Sequence, residues 1–116
     1  MKQLSKHWFL AAWVASSLLL HGCTADGTPA NVMGVEQMVP VMKELEIAYA
    51  GVDQTIKDPK ERVKKYEEMN SLVLKKSNVD KRQFFDSYKY YETKPELLDT
   101  ILKLVVQELN RDLMGM

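Results

Sequence analysis

TKPELLDTILKLVVQELNRDL, residues 93–113, spells one amphipathic helix together with its own start signal. Thr93-Lys94-Pro95-Glu96 reads as a capping box, with a proline suited to the first helical position and a glutamate suited to the positive end of the macrodipole. Leu98, Ile101, Leu102, Val105, Leu109 and Leu113 then recur at intervals of mostly three and four, which places them on one helix face. No alternation of period two competes with this pattern. The expectation is a helix that buries one stripe against others of its kind.

Working back toward the amino terminus, the same grammar repeats. Asp80 with Gln83 caps a shorter helix in which Phe84, Tyr88 and Tyr91 align, with Phe85 on the flank. At about 100° per residue Tyr90 falls on the opposite side, so it is the aromatic expected to be exposed. Ser77-Asn78-Val79 reads as the preceding turn, and Asp58-Pro59-Lys60-Glu61 opens another helix with an Asx cap and proline at the first position. Val63, Tyr66, Met69 or Asn70, Val73 and Leu74 supply its stripe, and Lys75 and Lys76 suit its carboxyl end. Upstream, Val35, Met38, Val39, Met42, Leu45 and Tyr49 predict a first helix, with Pro40 expected to start it late or make its first turn irregular. Residues 51–57 read as a loop. The fold class is therefore all-α, a small single-domain bundle of about four helices over residues 35–116.

The first 34 residues have a different character. Lys2 and Lys6 precede an apolar run from Trp8 to Leu20, and the small Gly22 precedes Cys23, which is the layout of a secretory signal. The apolar run is shorter than the roughly 20 residues a spanning helix needs. Leu20, Gly22 and Cys23 fit a lipoprotein cleavage box, in which the Cys23 sulfur accepts the lipid and a small preceding residue admits the peptidase. His21 is bulkier than usual there. Residues 1–22 are expected to be a signal peptide, and residues 23–34 the lipidated cysteine and a flexible tether. Thr24 to Gly34 is rich in Gly, Pro and Asn, and fully extended it would reach about 35 Å.

Composition narrows the chemistry. His7, His21, Trp8 and Trp13 all lie in the leader, and Cys23 is the single cysteine. A processed chain would hold neither imidazole nor free thiol. Ser-His and Cys-His catalysis, histidine-ligated zinc or haem sites and disulfides are thereby excluded, and no metal or cofactor is expected. Sixteen basic and sixteen acidic residues balance, and removal of Lys2 and Lys6 leaves fourteen basic residues. Nothing in that balance suggests nucleic acid. Lys75, Lys76, Lys81 and Arg82 form a basic cluster around one turn that could meet anionic headgroups or an acidic partner. Lys89 and Tyr90 complete the candidate partner-binding set.

Phe84, Ser87, Tyr90, Tyr91, Pro95, Glu96, Leu98, Ile101, Val105 and Leu109, with the preceding helix and the Asn78-Val79 turn, resemble the family of small envelope lipoproteins catalogued as a domain of unknown function, DUF 4296. The resemblance implies lipoprotein status and a helical fold, and brings no activity with it. The function expected is a lipid-anchored, non-enzymatic interaction module facing the periplasm from the outer membrane. It would be held by acyl chains on Cys23 and engage an envelope protein in assembly or export. Two alternatives compete. Asp86, Glu92, Glu96 and Asp99 could serve a carboxylate-dependent cell-wall hydrolase, and Met33, Met38, Met42 and Met69 could line a carrier of a small apolar ligand.

Overall fold

The computed structural model describes residues 27–115 and divides the chain into two compact units, Met1–Ala30 and Asn31–Met116. Of the first unit only residues 27–30 are described; Gly27 there adopts φ +77°, a left-handed conformation that a side chain would strain. The second unit is all-α among the described residues: α1 Val35–Thr55, α2 Pro59–Lys76, α3 Lys81–Glu92 and α4 Pro95–Leu113.

Helix α1 departs from expectation at both ends. It begins at Val35, with the Gly34 amide donating to Gln37 Oε1 at 3.0 Å, and runs unbroken through Pro40. Pro40 lies on the exposed side, so the Glu36 carbonyl that loses its helical partner can turn to water. At the other end, residues 51–55, read from sequence as loop, continue the helix. Val52 is buried on the core face, and the Thr55 hydroxyl donates to the Gly51 carbonyl at 2.8 Å. The connection to α2 thus shrinks to Ile56–Asp58. Arg62 spans it, its Nε donating to the Ile56 carbonyl at 3.2 Å.

The expected caps of α2 and α3 form: Asp58 Oδ2 accepts from the Glu61 amide and Asp80 Oδ2 from the Gln83 amide, each at 2.9 Å. Helix α2 closes in a Schellman motif. Asn78 takes φ +55°, the Val79 amide returns to the Leu74 carbonyl at 2.9 Å and the Asn78 amide to Lys75 at 3.1 Å. The capping box expected at Thr93 and Glu96 does not form. Only two residues separate α3 from α4, so Thr93 belongs to the end of α3, where its hydroxyl donates to the Tyr90 carbonyl at 2.6 Å. Lys94 precedes α4 without a side-chain cap, while Pro95 takes the first helical position as read from sequence.

Helix α1 occupies the centre, packed by α2 on one flank and α4 on the other, with α3 against α4. Asp53 of α1 meets Arg62 and Tyr66 early in α2, whereas Glu44 and Ala48 border Met69, Val73 and Lys76 late in it, so the two helices run antiparallel. The core gathers Met38, Val39, Val41, Met42 and Leu45 from α1, Leu74 from α2, Phe84 and Tyr91 from α3, and Ile101 and Val105 from α4. A fully buried side chain of this kind stabilises by about 1.5–3 kcal/mol. Three residues expected inside lie outside: Val63, Leu102 and Leu113 are exposed. The apolar arc of α4 is wider than its neighbours cover, and Val63 lies on the first turns of α2, beyond the core. No described helix is long and apolar enough to cross a membrane.

Candidate functional site

Residues 31–34, expected as the end of a tether, are built into the bundle. Val32 and Met33 are buried, because the backbone of Met33 is gripped from both sides by α3. Its amide donates to Ser87 Oγ at 2.9 Å, and its carbonyl accepts from the Tyr91 hydroxyl at 2.7 Å. Ser87 in turn donates to the Gln83 carbonyl at 2.6 Å, so this wholly buried hydroxyl is satisfied as donor and acceptor. Sequence reasoning missed this clasp. Its signal was there: Ser87 stands three residues after Phe84 and four before Tyr91, on the buried stripe of α3.

The clasp adjoins the basic turn. Met33 borders an open cleft of about 560 Å³ together with Gln37, Pro40 and Val41 of α1 and Ser77, Asn78 and Val79 of the α2–α3 turn. Lys75, Lys76, Lys81 and Arg82 flank that turn, all exposed. Arg82 lies 3.9 Å from Asp86. Among the described residues the other three make no ion pair; Lys81 shares an open depression along α2 with Glu67 and Glu68, and Glu68 is paired to Lys65 at 2.7 Å. Lys89 is exposed on α3. Tyr90 corrects the sequence reading: it is half-buried against the core, stacked edge-on with Tyr91 at 5.3 Å between centroids. The ring is wide enough to fold back from its flank onto the bundle.

The exposed aromatic of α3 is Phe85 instead, 38% accessible. With Phe84, Tyr88, Met42, Leu45, Tyr49 and Leu102 it lines an apolar cleft of about 280 Å³ whose single carboxylate is Glu46. Leu102 and Val106, one helical turn further along α4, carry the apolar surface beyond the cleft at 44% and 55% accessibility. At the cleft's edge the Tyr49 hydroxyl donates to Asn70 Oδ1, and its ring packs edge-on with Tyr66 at 5.1 Å. Burial raises the Tyr49 pKa above its ordinary 10.0, with Glu46 adding to the effect against the Asn70 hydrogen bond, so the phenol is a neutral donor at physiological pH. The Tyr66 pKa is raised as well, chiefly by its hydrogen bond to Asp53.

The carboxylates weighed for hydrolysis are dispersed over exposed positions. Asp86 faces Arg82, Asp99 pairs with Lys103 at 2.7 Å, and Glu92 and Glu96 are exposed near the ends of α3 and α4. Of the methionines weighed for a carrier, Met38 is fully buried and Met69 half-buried, while Met33 and Met42 border the two clefts. No group of metal-ligating side chains occurs among the described residues. Leu20, Gly22 and Cys23 lie outside the described residues.

Comparison with curated proteins and with solved structures yields no match. A family model described as a domain of unknown function, DUF4296, matches residues 29–113. That span takes in the clasped segment ahead of α1 and all four helices, most of the 116 residues. The chain belongs to the DUF4296 family.

Proposed function

We propose that this chain is a lipid-anchored, non-catalytic interaction module of the Gram-negative envelope, accessory to assembly or export on the periplasmic face of the outer membrane. Cys23, with Leu20 and Gly22, supplies the anchor in this reading. The observation that carries the interaction role is the apolar cleft at Phe85 and Leu102, continued along α4 by Val106. An apolar groove walled by aromatic side chains favours an apolar segment of a partner, and anchoring raises the effective concentration of that partner at the membrane. Glu46 is the lone carboxylate of the cleft, whereas glycoside hydrolysis generally employs a facing pair. This favours binding over catalysis.

A photo-activatable amino acid placed at Phe85 or Leu102 in the full chain, in its native envelope, is expected to yield one dominant adduct with an envelope protein. Phe85→Glu combined with Leu102→Glu should abolish that adduct in a protein of unchanged helicity. A folded chain that forms no adduct from either position overturns the reading. The anchor has its own test: Cys23→Ser should leave the precursor unprocessed and unlabelled by palmitate.

A further inference from the structure

We propose that the apolar cleft formed by α1, α3 and α4 selects a partner segment carrying a lysine or arginine among apolar residues, the cation meeting Glu46 while its neighbours cover Phe85 and Leu102. The inference rests on the reading of that cleft as the partner site, and deepens it by naming the chemistry of the occupant.

Size supplies the first argument. At about 280 Å³ the cleft falls short of the roughly 300–1,000 Å³ usual for sites that enclose a whole small molecule. It suits one or two side chains projecting from a larger body, and Leu102 and Val106 offer the rest of that body an apolar surface along α4.

Charge supplies the second. Glu46 is the one carboxylate lining the cleft, and no basic side chain lines it. Glu44, Asp86, Asp99 and Glu108 each have a cation within 4.0 Å on their own helix, whereas Glu46 makes no ion pair and no hydrogen bond among the described residues. Burial and, after it, the Glu46 charge raise the Tyr49 pKa, so this phenol stays neutral and Glu46 remains the only anion there.

Desolvation turns that charge into a selector. An apolar segment laid over Phe85 and Leu102 takes water from Glu46 as well, and a carboxylate stripped of water without a partner is costly. A partner that brings a cation offsets the cost; one that brings a carboxylate adds repulsion. The aromatic lining acts in the same sense. Tyr49, Phe84, Phe85 and Tyr88 contribute rings whose negative faces attract cations, and the hydrocarbon stem of a lysine or arginine packs on such rings while its head stays at the exposed carboxylate.

The test uses the full chain in its native envelope with a photo-activatable amino acid at Phe85 or Leu102, and the linked peptide is sequenced by mass spectrometry. The linked segment should carry a lysine or arginine within a few residues of the cross-link. Glu46→Lys should lower the adduct yield several-fold or more, with helicity and urea midpoint retained, since Glu46 is exposed. Exchanging that partner lysine or arginine for glutamate should restore the adduct to the Glu46→Lys chain, a rescue that a merely structural role for Glu46 would not give. Undiminished adduct in Glu46→Lys, a failed rescue, or a linked segment without a basic residue overturns the cation preference and leaves the cleft standing as the partner site. An adduct to lipid or to a second copy of this chain overturns the occupant named here. No adduct from either position overturns the reading of the cleft, and this inference with it.

Discussion

The two flanks of α1 are held by different physics. Toward α3 and α4 it meets a dry core, with Met38, Ile101, Tyr91 and Ser87 nearly or wholly inaccessible and the Met33 backbone fastened across it. Toward α2 the burial is thin. Leu74 is the one fully enclosed residue that α2 contributes, and much of the remaining contact is polar: Tyr49 to Asn70, Tyr66 to Asp53, Arg62 to Asp53 at 3.8 Å. An antiparallel helical pair can thus persist with little enclosed apolar surface when caps and phenol hydrogen bonds fix its ends. Such a pair is also the more easily opened half, since exposed polar contacts individually contribute little.

The difference is broken most strongly from the dry side. Ile101→Ala removes a fully buried side chain and should cost about 2–5 kcal/mol in urea unfolding, whereas Val63→Ala on exposed α2 should stay within about 0.5 kcal/mol. Comparable losses at the two positions would erase the contrast. Next in size, Ser87→Ala strands the Met33 amide in the interior and should cost about 1–3 kcal/mol, with hydrogen exchange at Met33 accelerated beyond that of neighbouring core amides. Unaltered exchange there would mean the clasp carries no load.

On the α2 side, Asp58→Ala deletes the cap that receives the Glu61 amide and should cost about 1 kcal/mol. Amides of the first turn of α2 should exchange faster while those of α4 hold. The smallest effect is set by alkali. Tyr49 and Tyr66 have pKa values raised above 10.0 in the fold, and Lys43, hydrogen-bonded to Asp112 at 3.0 Å, has one raised above 10.5. A raised pKa means that the native state holds the proton more tightly, so each contribution is complete below the unfolded value and fades as pH climbs through the folded one. The urea midpoint should be flat near neutrality and decline above about pH 10. Tyr66→Phe should make that decline shallower; an identical decline would detach the α1–α2 phenols from stability.

How legible this was depended on range. Asp58, Asp80 and Pro95 act within one turn of chain, so their caps and starts could be read directly, and the stripe of α4 located Ile101 and Val105. Thr93 misled because the same residue that can begin one helix can end another, and only the two-residue spacing of α3 and α4 decides which. Gly51 misled in the same way, since Val52 pulls the helix onward by burial that no local signal announces. The clasp joins residues 54 and 58 positions apart, beyond the reach of any periodicity. The cleft at Phe85 arose from what α1 and α3 leave uncovered on α4, a property of assembled helices and not of one segment.

The grip on Met33 also sets the path of mechanical force. Tension applied to the backbone at Asn31 would meet the amide and carbonyl bonds to Ser87 and Tyr91, together with the side-chain packing of Val32 and Met33, before it could unwind the first turn of α1. The molecule would answer a pull as a buckle does, staying stiff until residue 33 slips free and only then paying out chain.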